Sequence, residues 1–214
     1  KRLEYQNTIQ QFRHCLMSRA DTVLARSQAQ TKTKFRLAGH DINLTREKDD
    51  FYPTPPMATE RLLDVEKFDG DIWECACGDG AISKVLEQHN YKVYSTDLIN
   101  RNYGETGIDF LMETQKCDNI ITNPPFKLSL PFVYKAIELA NKKVAFLCRI
   151  TFLEGVARKK MFQETPLENV YIFSRRITFT NPNNGFKTHG GGMLAFAWFV
   201  WNKEHKGKPE LNWI

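Results

Sequence analysis

The sequence predicts an α/β fold in which helices cover both faces of a mostly parallel β-sheet. From Asp50 onward, short β-rich runs alternate with runs of helical periodicity, an order typical of parallel sheets with crossover helices. With 214 residues, of which 42% are hydrophobic, the chain can bury a full core. Its apolar runs stay well short of the roughly 18 residues that span a membrane, so we expect no membrane association.

The predicted elements follow one another from residue 71 to residue 201. Each predicted strand is a short β-rich run, and each predicted helix spaces its apolar residues three or four positions apart. The last two strands have no clear helix between them, so we expect them to pair antiparallel at the sheet edge. The predicted strands are 71–75, 92–96, 118–122, 143–150, 169–174 and 193–201, and the predicted helices are 81–88, 130–141 and 156–164.

Residues 1–36 predict a basic helix ahead of this domain. Ile9, Phe12 and Leu16 recur at helical spacing without an intervening Pro or Gly. Eight basic and two acidic residues give the segment a charge of +6, and the rest of the chain sums to −1. This asymmetry favours a polyanionic partner such as nucleic acid, although a solvated helix with surplus Lys and Arg explains it equally well. The apolar stripe would pack on the body of the protein, on a second copy or on a partner subunit.

The remaining segments predict a linker, a loop and no metal site. Residues 37–50 read as a polar linker, so residues 1–49 would form an extension and residues 50–214 the main domain. Residues 178–192 are rich in Asn and Gly and predict a mobile loop. The five cysteines and five histidines lack the spacing of metal ligands, so we expect no metal and reduced thiols in a cytoplasmic protein.

The segment 73–80 (WECACGDG) follows a predicted strand and opens a predicted helix. Glycines in such a turn let the backbone approach a ligand closely. Asp97 ends the next strand, 17 residues beyond Gly80, where a carboxylate can accept hydrogen bonds from both hydroxyls of a ribose or cap the next segment. Asp109 and Phe110 could hold an adenine amino group and cover its ring, although Phe110 also fits a core position. Because no Gly-x-x-x-x-Gly-Lys-Ser/Thr motif is present, the pattern favours a nucleoside cofactor without phosphates.

The most informative segment is Asn123-Pro124-Pro125-Phe126, which follows a β-rich run. Its two prolines remove two N–H donors and leave carbonyl groups free to accept hydrogen bonds. The segment resembles the (Asn/Asp)-Pro-Pro-aromatic motif of S-adenosylmethionine (SAM)-dependent amino-methyltransferases. That family includes N6-adenine DNA methyltransferases, RNA base methyltransferases and the glutamine methyltransferases of release factors. The resemblance covers about residues 50–203, and the compact form is similar to phage-type N6-adenine DNA methyltransferases.

The resemblance implies a Rossmann-like class I methyltransferase fold with a seven-stranded sheet, SAM as the cofactor, and a bacterial or phage-infected cell as the setting. It implies that residues 50–56 (DFYPTPP) contact the methionine part of SAM. The glycine turn matches the family's first cofactor motif, although Cys75 replaces the usual proline there, which should leave the turn intact. The residues that the resemblance assigns to the cofactor are Tyr52, Thr54, Pro55, Glu74, Cys75, Gly78, Gly80, Asp97, Asp109 and Phe110.

The same resemblance implies how the target is methylated. The Asn123 side-chain oxygen and the Pro124 carbonyl would accept the two N–H groups of an exocyclic amine, so that its lone pair points at the methyl group. Pro125 stiffens the segment, Phe126 would stack on the target ring, and a duplex substrate would require base flipping. The predicted substrate contacts are Lys127, Arg149, Arg175, Arg176 and His189.

The favoured function is N6-adenine methylation of DNA. Few residues remain beyond the predicted fold for a target-recognition domain, so phosphate contacts would dominate and we expect a short or relaxed sequence preference. The alternative is an RNA base methyltransferase that acts on adenine N6 or guanine N2. A protein glutamine methyltransferase would not explain the basic segment, and a non-catalytic binding subunit would not explain the intact Asp97 and Asn123.

Overall fold

The computed structural model describes residues 51–179 and 194–214, together with two short strands, β1 (Phe35–Leu37) and β2 (His40–Ile42). These strands pair antiparallel, and their two-residue connection is the usual length for a β-hairpin. The prediction of a helix over residues 1–36 is therefore wrong at residues 35 and 36, which belong to β1. The segment 37–50, predicted as a linker, contains β2. Apolar and polar residues alternate in β1, which is the period of a strand and not of a helix. The rest of the predicted helix lies outside the described residues.

The unit Lys48–Ile214, one of two into which the chain divides, contains an eight-stranded sheet with helices on both faces. The predicted fold class is confirmed, with one strand more than the predicted seven. Within the described residues, no helix is long and apolar enough to cross a membrane. The strands are β3 (Ile72–Glu74), β4 (Val93–Asp97), β5 (Glu105–Thr106), β6 (Cys117–Thr122), β7 (Ala140–Arg149), β8 (Leu167–Ile172), β9 (Phe196–Asn202) and β10 (Glu210–Trp213). The helices are α1 (Pro56–Val65), α2 (Ala81–Gln88), α3 (Ser129–Leu139) and α4 (Val156–Glu164).

The strand order is β10-β8-β9-β7-β6-β3-β4-β5, and every neighbouring pair is parallel except those that include β9. Because β8 and β9 pair antiparallel, the expectation for the last two predicted strands is confirmed. Their expected place at the sheet edge is wrong, since β10 forms that edge and β9 lies inside. Six consecutive residues of β9 are buried, and a strand that is apolar on both faces belongs inside a sheet.

Two apolar cores lie on opposite faces of the sheet, because consecutive residues of a strand point to opposite sides. In β9, Phe199 and Trp201 belong to the core that α3 and α4 cover, while Trp198 and Val200 belong to the core that α1 and α2 cover. Trp198 also donates its indole N–H to the Ala58 carbonyl oxygen of α1 at 2.7 Å. With both faces covered, the ends of the strands remain as the place for a site.

Candidate active site

A cleft of about 220 Å³ lies where β3, β4 and β6 reach their carboxyl ends. Parallel strands end at a common edge, which is the usual place for ligands in open α/β sheets. Four predicted residues adjoin the lining without belonging to it: Pro55, Gly80, Pro124 and Phe126. The predicted residues that line the cleft are Tyr52, Thr54, Glu74, Cys75, Gly78, Asp97, Asp109, Phe110, Asn123 and Pro125.

Gly78 and Gly80 shape the turn between β3 and α2. Their φ angles are +57° and +81°, which is the left-handed region that favours glycine. A Cβ atom on Gly78 would lie 2.5 Å from the Phe51 ring, and one on Gly80 would lie 2.5 Å from the Tyr103 ring. The close approaches that require glycine are therefore to two aromatic side chains, of which Phe51 lines the cleft.

Asp97, the last residue of β4, connects this turn to the cleft. Its Oδ2 atom accepts a hydrogen bond of 2.8 Å from the Gly78 N–H, and its Oδ1 atom accepts one of 2.8 Å from the Ile99 N–H. Each carboxylate oxygen keeps a further lone pair. Because the side chain is only partly buried and borders the cleft, it can still accept hydrogen bonds from a diol.

Glu74 lines the cleft with only 2% of its surface exposed. Its Oε2 atom accepts a hydrogen bond of 2.8 Å from the Ser83 N–H and contacts the Ser83 hydroxyl, whose oxygen lies 2.7 Å from that of Ser95. Burial raises the pKa of Glu74 to about 8, because a carboxylate that loses water disfavours its charged form. Glu74 therefore keeps its proton at neutral pH.

The raised pKa of Glu74 should make the folded state less stable as the pH rises. Between the ordinary value of 4.5 and about 8, only the unfolded state loses this proton, which favours unfolding. We expect the Tm of the wild type to fall relative to that of Glu74→Gln across this window and the difference to level off above it. Thermal unfolding followed by circular dichroism between about pH 5 and pH 9 measures the difference, and a constant value would contradict a protonated Glu74.

Asp109 and Phe110 border the cleft, but both also have structural contacts. The Asp109 Oδ1 atom accepts a hydrogen bond of 3.0 Å from the Leu111 N–H and caps the short 3₁₀ turn Phe110–Met112. The Phe110 ring is 2% exposed and packs edge-on against Trp73 at a centroid distance of 5.3 Å. Their part in holding adenine stays a prediction, since core packing alone accounts for Phe110.

Asn123 follows β6 and presents an acceptor without a partner. Its Nδ2 atom donates to the Oγ1 atom of Thr54 at 3.1 Å, and Thr54 is itself buried. The Asn123 Oδ1 atom is buried and has no hydrogen-bond partner among the described residues. Burying an acceptor in this way costs about 1–3 kcal/mol, and a ligand N–H that reaches the oxygen would remove that cost.

Four aromatic rings, which we call the aromatic cluster, adjoin this position: Tyr52, Phe126, Phe179 and Phe196. The Tyr52 and Phe126 rings are stacked, with centroids 6.0 Å apart and planes inclined by 28°. Phe179 packs against both Tyr52 and Phe196, and Phe196 packs against Phe126. Arg149, the last residue of β7, places its guanidinium carbon 4.3 Å from the centroid of Phe126, a cation–π contact.

Lys127, Arg149, Arg175 and Arg176, the predicted substrate contacts that the structure describes, do not line the cleft. Lys127 is exposed in the short turn Phe126–Leu128, next to the aromatic cluster. Arg175 and Arg176 are exposed beyond the carboxyl end of β8, and β8 runs in the same direction as β7 because both oppose β9. His189 and most of the predicted loop lie outside the described residues.

Two charged residues of the lining were not predicted from the sequence. Arg101 lies four residues beyond β4 and stacks its guanidinium on the Phe51 ring at 4.0 Å; its place in a loop at a strand's carboxyl end was a usable signal. Asp79 lies inside the glycine turn, and its Oδ1 atom is buried without a hydrogen-bond partner in the part of the chain described. Across residues 51–179 and 194–214, no group of three His, Cys, Asp or Glu side chains could hold a metal ion.

No protein-family model and no curated protein matches the chain by sequence. Solved structures do match its fold. A proposed RNA methyltransferase from Pyrococcus horikoshii matches with a TM-score of 0.56 and 15% identity, over 72% of this chain and 87% of its own. The modification subunit of a proposed type I restriction enzyme from Vibrio vulnificus YJ016 matches with a TM-score of 0.52 and 12% identity, over 77% of this chain and 47% of its own. A predicted O-methyltransferase from Agrobacterium tumefaciens matches with a TM-score of 0.52 and 10% identity, over 74% of this chain and 85% of its own.

This chain thus spans about half the length of the Vibrio protein. Because the identities are 10–15%, the likeness shows a shared fold, the Rossmann-like fold of class I methyltransferases, and no more.

Proposed function

We propose that this chain, which has the fold of class I methyltransferases, transfers a methyl group from SAM to N6 of adenine in DNA. The observation that carries the proposal is the buried Asn123 Oδ1 atom, an acceptor without a partner among the described residues, at the border of the cleft. It belongs to a segment that resembles the motif of amino-methyltransferases, and the exocyclic amine that those enzymes methylate is the donor this oxygen lacks.

The charges around the cleft suit SAM, which is a cation with an adenosine part. Three carboxylates, Asp79, Asp97 and Asp109, line the cleft beside the glycine turn. Asp97 has lone pairs left for the two ribose hydroxyls, and negative side chains favour a positively charged ligand. These features support SAM over a phosphorylated cofactor.

The residues beside β6 would act on the target amine by positioning it. SAM, when bound, supplies the methyl group. The Asn123 Oδ1 atom and the Pro124 carbonyl accept the two N–H groups and direct the nitrogen lone pair toward that methyl group. Asn123 is too weak a base to take the proton, which leaves to water. Thr54 holds the Asn123 amide through the 3.1 Å hydrogen bond, so the acceptor is oriented before the substrate arrives.

A nucleic-acid substrate is supported by the side chains at the same edge. Arg149 ends β7, and Lys127, Arg175 and Arg176 follow the carboxyl ends of β6 and β8, where all four could contact phosphates. The aromatic cluster offers π-faces on which a flipped base could stack. The basic segment 1–36, with a charge of +6, would add affinity for a polyanion or bind a second copy or partner subunit.

RNA is the second candidate substrate. Of the structures that share the fold, the Pyrococcus protein is a proposed RNA methyltransferase, whereas the Vibrio protein is a modification subunit of a proposed restriction enzyme. We favour DNA because the motifs within residues 50–203 resemble those of N6-adenine DNA methyltransferases. An amine on adenine N6 or guanine N2 of RNA would meet the same acceptors.

The test is to incubate the chain with methyl-labelled SAM and, separately, with duplex DNA, single-stranded DNA and RNA. Mass spectrometry of the digested nucleic acid identifies the methylated nucleoside. N6-methyladenine from DNA is the expected product, and label in RNA alone would make the second candidate the function. Binding of SAM without transfer to any of these nucleic acids would contradict the proposal and point to a protein substrate or a missing partner subunit.

A further inference from the structure

Two exposed apolar side chains, Leu153 and Val156, belong to the connection between β7 and α4. Leu153 ends the 3₁₀ turn Ile150–Leu153, and Val156 is the first residue of α4. They are 41% and 90% exposed. A single exposed apolar residue is ordinary on a protein surface, but the surroundings of these two, which we call the apolar pair, set them apart.

The connection that carries the apolar pair is anchored to the sheet. Phe152 is buried and packs edge-on against Phe199 of β9, with ring centroids 5.4 Å apart. The Ile150 N–H donates to the Ala195 carbonyl oxygen at 2.9 Å, and Arg158 places its guanidinium carbon 5.4 Å from the centroid of Phe152. The turn is therefore held in place before a partner arrives, so binding through it costs little ordering entropy.

The apolar pair lies at the edge of the sheet that carries the candidate active site. β6 and β7 are parallel neighbours, with Thr122 opposite Phe146, so Asn123 and the connection follow the carboxyl ends of adjacent strands. Arg149, directly before the connection, contacts the Phe126 ring at 4.3 Å. The pair thus follows the strand beside the proposed acceptor of the target amine.

Positive charge surrounds the apolar pair. Residues 149–160 contain four basic side chains and one acidic side chain, a charge of +3. Lys159 and Lys160 are exposed directly after the pair, and Lys160 contacts Glu164 only across the surface at 3.8 Å. Such a surface ion pair contributes little, so phosphate can replace it. An apolar tip flanked by cations fits a polyanion with apolar faces inside it, which is a nucleic-acid duplex, better than an apolar protein surface.

A duplex substrate creates a need that the apolar pair can meet. A target base inside a duplex must leave the stack before it can be methylated, and its departure leaves the apolar faces of the neighbouring base pairs in contact with water. Apolar side chains such as Leu and Ile insert between base steps in other DNA-binding proteins. They bury apolar surface and offset part of the cost of unstacking.

We propose that Leu153 and Val156 enter duplex DNA at the gap that the flipped adenine leaves, while the neighbouring lysines contact the backbone phosphates. This inference rests on the proposed function, since it assigns these residues a role toward the same substrate. The apolar pair serves base flipping and not the methyl transfer itself. A single-stranded substrate, whose base needs no flipping, should not depend on it.

The test measures single-turnover methyl transfer to one oligonucleotide in its duplex and single-stranded forms, by the wild type and by Leu153→Ser/Val156→Ser. We expect the double variant to act about 10- to 100-fold more slowly on the duplex, the range for two apolar side chains that lose their burial. Its rate on the single strand should stay within about twofold of the wild-type rate. With 2-aminopurine at the target position of the duplex, the fluorescence rise on binding should be smaller for the variant. Because both side chains are exposed, the Tm should change little.

Leu211→Ser provides the matched control. Leu211 is 55% exposed on β10, and two strands separate β10 from β7, so this variant should methylate both forms as the wild type does. Equal losses of the double variant on both forms, or no loss on the duplex, would overturn the inference. A wild type that methylates only the single strand would also overturn it and leave the proposed function standing. Transfer to neither form of DNA would instead reject the proposed function, and the inference with it.

Discussion

Asn123→Ala should lower the rate of methyl transfer by about 10²–10³-fold, the usual effect of removing one pre-organised group that stabilises the transition state. Alanine removes the unpaired Oδ1 acceptor and also ends the hydrogen bond to Thr54. The target amine then loses the acceptor that aligns its lone pair. Single-turnover transfer measures the rate, and calorimetry with S-adenosylhomocysteine should give a nearly unchanged Kd.

Two further variants distinguish the role of the Asn123 oxygen from that of Thr54, which holds the Asn123 amide in place. Asn123→Asp keeps oxygen acceptors, and the motif that the segment resembles admits Asp at this position, so its rate should lie between those of the wild type and the alanine variant. Thr54→Val keeps the shape of the side chain but removes the acceptor for the Asn123 Nδ2 atom. We expect this variant to transfer the methyl group about 5- to 10-fold more slowly than the wild type. Wild-type transfer by Asn123→Ala would contradict the proposed role, and a parallel loss of ligand affinity would place Asn123 in the cofactor site.

Asp97→Ala should weaken binding of S-adenosylhomocysteine by about 10²–10⁴-fold. The estimate corresponds to two hydrogen bonds from ribose hydroxyls to a charged acceptor, each of about 1.5–3 kcal/mol. The variant also loses the hydrogen bonds from the N–H groups of Gly78 and Ile99, both 2.8 Å long, so its Tm should fall as well. Calorimetric titration well below the Tm of both proteins measures the affinity of folded protein.

Tyr94→Phe serves as the comparison on the same strand. The Tyr94 hydroxyl donates to Glu105 at 2.7 Å on the surface, outside the lining of the cleft. Its removal should leave ligand affinity unchanged. If Asp97→Ala binds the ligand as tightly as the wild type, the ribose assignment is wrong.

Elements with strong local signals could be predicted from the sequence. The helices predicted at 81–88 and 156–164 coincide with α2 and α4, because their amino ends follow glycine and their carboxyl ends meet polar residues. Helix α1 was missed because three prolines just before or at its start favour extended structure, although Pro56 opens the helix, where its missing N–H costs nothing. β10 was missed because it is short and mostly exposed.

The site could be predicted in its residue types but not in its contacts. The motif predicts that Asn123 is an acceptor for the target amine. Its hydrogen-bond partner Thr54 lies 69 positions away, and only the fold brings the two residues together. The stacking of Arg149 on Phe126 likewise joins the ends of two strands. The protonation of Glu74 depends on how completely neighbouring elements bury it, which a local pattern does not specify.

The interior position of β9 has a consequence for synthesis on the ribosome. β7 and β8 are made first, but in the finished sheet β9 lies between them and pairs with both. A nascent chain that has emerged only as far as β8 therefore carries two apolar strands with no native partner for their facing edges, and such edges are prone to aggregate. The central part of the sheet can form only after Asn202, the last residue of β9, has left the exit tunnel. A truncated or stalled chain that ends before β9 would therefore be a target for chaperones and not a smaller folded domain.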